Sequence, residues 1–201
     1  MLRLYDYLDS GNGYKARLLL HLLGEPFELI ELDIMKGETR TPEFLAKNPA
    51  GRIPVLETED GRFLPESGAI LWYLADGTLF LPDDPWEHAQ VLRWMFFEQY
   101  SHEPFVAVAR FWLKHLPADD PRRAQLPDKQ KGGTAALEVM EGHLKDHGSF
   151  VGARLTIADI ALYAYTHVAD EGGFDLSRYP AIEAWCARVA GQPGYVGITE
   201  G

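Results

Sequence analysis

Short apolar runs of strand length mark the first third of the chain, and longer helical spacings fill the rest. Leu2 to Leu8 reads as a buried strand. Asp9-Ser10-Gly11-Asn12-Gly13 follows as a loop with capping residues. Tyr14 to Leu23 is then a largely apolar helix, stopped by Gly24. Phe27 to Ile34 reads as a second strand. Thr41-Pro42-Glu43-Phe44-Leu45 has the cap and first-position proline of a helical turn. Ile53 to Thr58, a turn at Asp60-Gly61, and Arg62 to Leu64 describe a hairpin. Ser67 to Leu74 reads as a closing helix.

From Trp86 to Leu116 the spacing predicts one long helix, kinked where Pro104 removes a backbone bond. Over Ala136 to Lys145, Leu137, Met140 and Leu144 share a helical face. Thr156-Ile157-Ala158-Asp159 is a capping box, opening a stripe of Ile157, Ile160, Ala161, Ala164 and Val168. Pro180 starts a last helix with Ile182, Trp185, Cys186 and Val189 facing inward. Two domains follow. Residues 1–76 carry the order β-α-β-α-β-β-α of a thioredoxin-like domain. Residues 77–85, rich in turn formers, form a linker, and residues 86–201 form an all-helical domain.

Composition narrows the partners. The formal net charge of -11 argues against nucleic acid and anionic membrane. No apolar run approaches the roughly 18 residues of a spanning segment, and the N-terminus lacks the apolar stretch of a signal peptide. Cys186 is the single cysteine, so an internal disulfide is excluded and a reducing, cytoplasmic setting fits. At Cys186 a core role outweighs a nucleophilic one. His143 and His147 lie four apart with Asp146 between them; zinc is conceivable, but a solvated helix face is the simpler reading, and no metal is expected.

The most informative stretch is Asn48-Pro49-Ala50-Gly51-Arg52-Ile53-Pro54-Val55-Leu56, followed by Glu66-Ser67-Gly68-Ala69-Ile70-Leu71. Proline cannot donate to a sheet ladder, so Pro54 is out of place in a central strand without a special role. Glu66-Ser67 opens a short apolar helix, whose unpaired N–H groups can hold a carboxylate. A backbone edge and an anion site side by side suit a peptide-like ligand.

These residues, with Ser10 between the first strand and first helix, resemble the glutathione transferase family. The resemblance is strong from Ser10 to Leu74 and around Gly152 to Asp159, and weak from Phe97 to Gly133. It implies an α/β thioredoxin-like N-terminal domain followed by an all-α C-terminal domain. It implies glutathione as co-substrate, a small hydrophobic electrophile, a homodimer and a role in detoxification. Pro54 then follows a cis bond, with the Ile53 backbone pairing with the cysteinyl part of glutathione. Ser67 binds the γ-glutamyl carboxylate and Glu66 sits beside its amino group; otherwise they are a plain cap and an exposed turn residue. One of Lys36, Arg40 and Arg52 meets the glycyl carboxylate. The electrophile pocket draws on Tyr100, His102, Phe105, Phe111 and Trp112, although an aromatic stripe at helical spacing is usually core.

Ser10 lies where the family places the hydroxyl that stabilises the thiolate. A free thiol titrates near 8.5, so an aimed donor is needed at neutral pH. Asn12 offers an amide to sulfur instead. Ser-x-Asn is similar to bacterial members that use Thr and Asn and reduce disulfides with glutathione. Either residue can also simply cap the helix. Tyr5 and Tyr7 fit sheet packing better than catalysis. Since Ser10 is not a cysteine, mixed disulfides at this position are excluded. Disulfide reduction, dehalogenation and a non-catalytic interaction module remain the alternatives to conjugation.

Overall fold

The computed structural model describes residues 1–200. They divide into two compact units. The first runs from Met1 to Thr78 and takes back the segment from Gln192 onward; the second is Leu79–Gly191.

In the first unit the elements are β1 (Leu2–Asp6), α1 (Gly11–Leu23), β2 (Phe27–Glu31), α2 (Pro42–Leu45), β3 (Val55–Glu57), β4 (Phe63–Pro65) and α3 (Ser67–Ala75). The sheet order is β2-β1-β3-β4. β1 and β2 are parallel, joined through α1, while β1–β3 and β3–β4 are antiparallel. Strand alternation explains the two-sided core, because neighbouring residues face opposite ways. Leu4 and Leu56 pack with Ala16, Leu20 and Ile70. Their neighbours Tyr5 and Val55 pack with Phe44 of α2. Each fully buried leucine here contributes roughly 1.5–3 kcal/mol relative to exposure.

β2 ends earlier than its apolar run suggests. Asp33 caps a 3-10 turn at Ile34–Lys36, accepting from the Met35 and Lys36 amides. The return of the C-terminal segment was absent from the sequence reading, which placed it in the helical domain. The Tyr14 hydroxyl donates to the Val196 carbonyl at 2.6 Å, and Arg17 donates to the Ile198 carbonyl at 2.8 Å. Gly194 has φ 83, and a Cβ there would meet the His21 carbonyl oxygen at 2.6 Å, so only glycine fits.

The second unit contains α4 (Pro85–Phe97), α5 (Glu103–His115), α6 (Leu126–Leu144), α7 (Ile157–Thr166) and α8 (Pro180–Ala190). The expected long helix is divided between α4 and α5 by a wide π turn at Glu98–His102. There the Glu103 amide reaches back five residues to the Glu98 carbonyl. Pro104 supplies the reason, having no N–H and a ring that crowds the preceding turn. α6 begins ten residues before Ala136. Gly132 and Gly133 hid it, since glycine is a poor helix former. Their place is set by packing: a Cβ at either would come within 2.4 Å of the Phe105 or Phe174 ring. Every residue of α7 is buried. Cys186 on α8 is half-buried, and burial pushes its thiol up to about 12, which rules out a ready thiolate. Among the described residues no helix is long and apolar enough to cross a membrane, and no cluster of potential metal ligands occurs. His143 and His147 stack on one another, centroids 4.3 Å apart.

Candidate active site

Three loops of the first unit carry the candidate residues. The first leads from β1 into α1. The Ser10 amide donates to the Tyr7 carbonyl at 2.7 Å, and the Ser10 carbonyl accepts from Tyr14 at 2.9 Å, starting the helix. Ser10 is the N-cap, with φ -82 and ψ 121. Its Oγ accepts from the Gly13 amide at 3.4 Å, the long end of such a bond. Accepting this weak bond leaves the hydroxyl its own proton to donate.

Asn12 is the second residue of α1. Its Oδ1 accepts from Lys15 Nζ at 2.8 Å and from Ser67 Oγ at 3.4 Å. The N-termini of α1 and α3, far apart in sequence, are thereby brought together. Ser67 is buried and forms the first residue of α3 rather than its cap. Glu66 holds the cap position with φ 73 and ψ 113, and its side chain makes no cap bond. It is the one non-glycine with positive φ among the described residues. Such a conformation costs about 1–3 kcal/mol and persists only where the surroundings demand it.

The third loop runs from Asn48 to Pro54. The Ile53–Pro54 bond is cis, as the family resemblance implies. The β3 ladder starts only at Val55, which pairs with Tyr5 and Pro65, so Ile53 lies ahead of the paired residues. Buried Asn48 braces the loop: its Nδ2 donates to the Arg52 carbonyl at 2.7 Å and its Oδ1 accepts from the Ala50 amide at 3.1 Å. Arg40 donates to the Ala50 carbonyl at 3.0 Å, and Gly51 turns at φ 60 where a Cβ would strike the Arg40 guanidinium. Of the three candidates for the glycyl carboxylate, Lys36 is paired with Asp33 at 2.9 Å, Arg40 braces this loop, and Arg52 is exposed.

Behind the first loop lies a buried ion pair that the sequence reading did not single out. Arg17 Nε meets Asp6 Oδ2 at 2.7 Å, both fully buried. Arg17 also donates to the Leu8 carbonyl at 2.6 Å, and Asp6 Oδ1 accepts from the Tyr7 amide at 2.6 Å. Burial holds the Asp6 carboxyl up at about 6, against the pull of Arg17. Gly13 is required here because a Cβ would overlap Asp6. Lys15 and Arg17 were the missed supporting residues, and Asn48 stood in the quoted stretch without a role. The available signal was two cations set inside the apolar run Tyr14 to Leu23.

The aromatic candidates lie in the second unit. Tyr100, on the π turn, is 85% exposed. Phe105 lies against Gly132 of α6, and Lys129 Nζ sits 5.3 Å from its ring centroid and 5.8 Å from that of Trp112. Phe105 and Trp112 thus share a packed helix face, whereas Tyr100 is open to solvent. His102 is buried, its Nε2 3.0 Å from Thr166 Oγ1, and Phe111 packs on His115.

Comparison with known proteins bears on both units. Residues 10–76 match the family model for the glutathione S-transferase N-terminal domain, and residues 94–193 match that for the C-terminal domain. A crystal structure of glutathione S-transferase from Pseudomonas fluorescens Pf-5 is 55% identical, with a TM-score of 0.95 over 99% of each chain. Ure2p in complex with glutathione is 25% identical, with a TM-score of 0.89 over 100% of this chain and 93% of that one. Maleylacetoacetate isomerase of Rhizobium meliloti (strain 1021) is 34% identical over 194 residues, covering 94% of this chain and 91% of that protein. The disulfide-bond oxidoreductase YfcG of Escherichia coli (strain K12) is 30% identical over 203 residues, covering 96% and 92%.

Proposed function

Because the chain belongs to the glutathione S-transferase family, we propose that it binds glutathione on its first unit and activates the thiol for attack on a small hydrophobic electrophile. The observation that carries this reading is the meeting of Asn12 and Ser67 at two helix N-termini, beside the positive-φ residue Glu66. The α3 amides and the Ser67 hydroxyl receive the γ-glutamyl carboxylate. The Glu66 carboxylate takes the ligand's amino group, and the Ile53 backbone pairs with the cysteinyl residue. Ser10 donates its hydroxyl proton to sulfur, and the α1 amides add their field. The thiol proton leaves to solvent. The sulfur electron pair then forms the bond to the electrophilic carbon, and the leaving group departs with its own pair. Family membership and the lone cysteine support a homodimer working in the cytoplasm.

A second reading, glutathione-dependent disulfide reduction, is favoured by the place of Asn12 in the site and by the similarity to a protein named disulfide-bond oxidoreductase. The test is retention on immobilised glutathione with elution by free ligand, followed by parallel assays on an aryl halide and on a glutathione mixed disulfide. Retention with aryl halide turnover supports conjugation. Turnover of the disulfide alone favours the second reading. Absence of retention defeats both.

A further inference from the structure

Two cations lie two residues apart on α1, both almost wholly buried, and they serve different neighbours. Arg17 meets Asp6 and the carbonyls of Leu8 and Ile198, a framework behind the site. Lys15, 1% exposed, sends its ammonium to a side chain of the site itself, Asn12 Oδ1 at 2.8 Å. A buried ammonium requires oxygen around it. It can only donate, so it determines which limb of the Asn12 amide is the carbonyl. The same oxygen accepts from Ser67 at 3.4 Å, which ties the first turn of α3 to this arrangement. The amide NH2 is consequently the limb turned away from Lys15.

We propose that Lys15 is a positioning residue for thiol activation, holding the Asn12 carbonyl on its ammonium so that the Asn12 NH2 donates to the sulfur of bound glutathione. This rests on the glutathione reading above. In this proposal Lys15 acts on the sulfur through Asn12, whose Oδ1 its ammonium meets at 2.8 Å. A lysine that merely filled space in α1 would leave the bound thiol's acidity unchanged. A lysine that acted as a bare charge would shift it whether or not Asn12 were present.

The decisive measurement is the ultraviolet thiolate absorbance of bound glutathione, titrated in the wild type, Lys15→Met, Asn12→Ala and the double variant, each verified as folded by circular dichroism. Lys15→Met is expected to raise the bound thiol's pKa by about one unit and to lower turnover near neutrality about tenfold, with recovery at higher pH. The double variant should titrate like Asn12→Ala alone, because one mutation removes what the other acts through. Lys15→Gln keeps a neutral donor for Oδ1 and should restore the wild-type titration; Lys15→Leu, which like Met offers no donor, takes the place of Lys15→Met in the cycle if that variant does not fold. An unchanged titration in folded Lys15→Met, an equal shift with and without Asn12, or a Gln variant as impaired as Met each overturns the proposal. Bound glutathione with no thiolate absorbance in the wild type at any pH between about 5 and 9 defeats the functional reading, and this inference with it.

Discussion

The N-terminus of α7 and the N-termini of α1 and α3 solve the same problem in opposite ways. Each helix begins with amides that lack a helical partner. At α7 the chain satisfies them internally. Thr156 Oγ1 accepts from Ala158, and Asp159 returns to the Thr156 amide at 2.8 Å, completing the box. Asp159 is buried and also accepts from the Phe150 amide and the Trp185 indole, so the whole corner is closed. At α3 the cap residue makes no side-chain bond and adopts a positive φ, and at α1 the cap bond stretches to 3.4 Å. A closed N-terminus secures the fold, whereas an open one leaves donors and dipole for something outside the chain. The same residue classes, Ser or Thr with an acid, serve both ends; local saturation separates the two uses.

The largest expected effect lies at the closed end. Asp159→Ala strands the Phe150 and Thr156 amides, the Thr156 hydroxyl and the Trp185 indole in the core. Each buried orphan costs about 1–3 kcal/mol, so unfolding in urea should show a loss of about 4 kcal/mol or more. Glutathione affinity of the folded protein should stay near wild type. A large fall in affinity without a fall in stability would break the comparison.

The next effect sits directly behind the open end. Asp6 is held near 6 when folded, above the ordinary value of 3.8. A raised folded pKa gives stability that is fully present below the unfolded value and is lost as pH rises through the folded one. The window is therefore about pH 4 to 6. Asp6→Asn lacks this dependence, so relative to wild type it should gain up to about 3 kcal/mol between pH 4 and pH 7. Denaturant curves of both proteins at those two pH values check the sign. A wild type that gains on the variant over this range contradicts it.

Ser10→Ala follows in size. Under the proposed function it removes a charge-assisted donor worth roughly 1.5–3 kcal/mol while the α1 amides remain. The bound thiol's pKa should rise, and turnover on an electrophile should fall about tenfold to a hundredfold. Its stability cost is that of one weak cap, about 0.5–1 kcal/mol. Asn12→Ala should shift the titration less than Ser10→Ala, but at least as far as Lys15→Met. If only Asn12→Ala shifts it, disulfide reduction becomes the better reading.

The closed end was easier to read from the sequence than the open one. Thr156-Ile157-Ala158-Asp159 announces its box because all partners lie within four residues. The succession of elements along the first unit, the first-turn proline of α2 and Gly24 at the end of α1 were legible for the same reason, being local signals. The Asn12–Ser67 meeting spans 55 residues, and local pattern carries nothing about it; family resemblance put the two into one site. Lys15 and Arg17 escaped notice because long cations in an apolar helix read as tolerated surface residues until their partners are seen. The π turn escaped because Pro104 signals a disturbance without specifying its form.

The smallest effect should come from Ser67→Ala, and it tests the open end most sharply. Ser67 is buried at the first position of α3, where its hydroxyl donates to Asn12 Oδ1 at 3.4 Å. That contact is long, so losing it should change stability by no more than about 0.5 kcal/mol. In the proposed complex the same hydroxyl faces the γ-glutamyl carboxylate, which is remote from sulfur. Binding lost equally from ground and transition states raises KM and spares kcat. The expectation is a rise of about tenfold in KM for glutathione, with kcat within about twofold of wild type. Steady-state kinetics with the electrophile saturating, read beside a urea curve, separates the possibilities. A stable variant with raised KM marks an N-terminus left open for a ligand. A variant that loses stability as heavily as Asp159→Ala would place α3 with α7, as a helix start that exists to hold the fold.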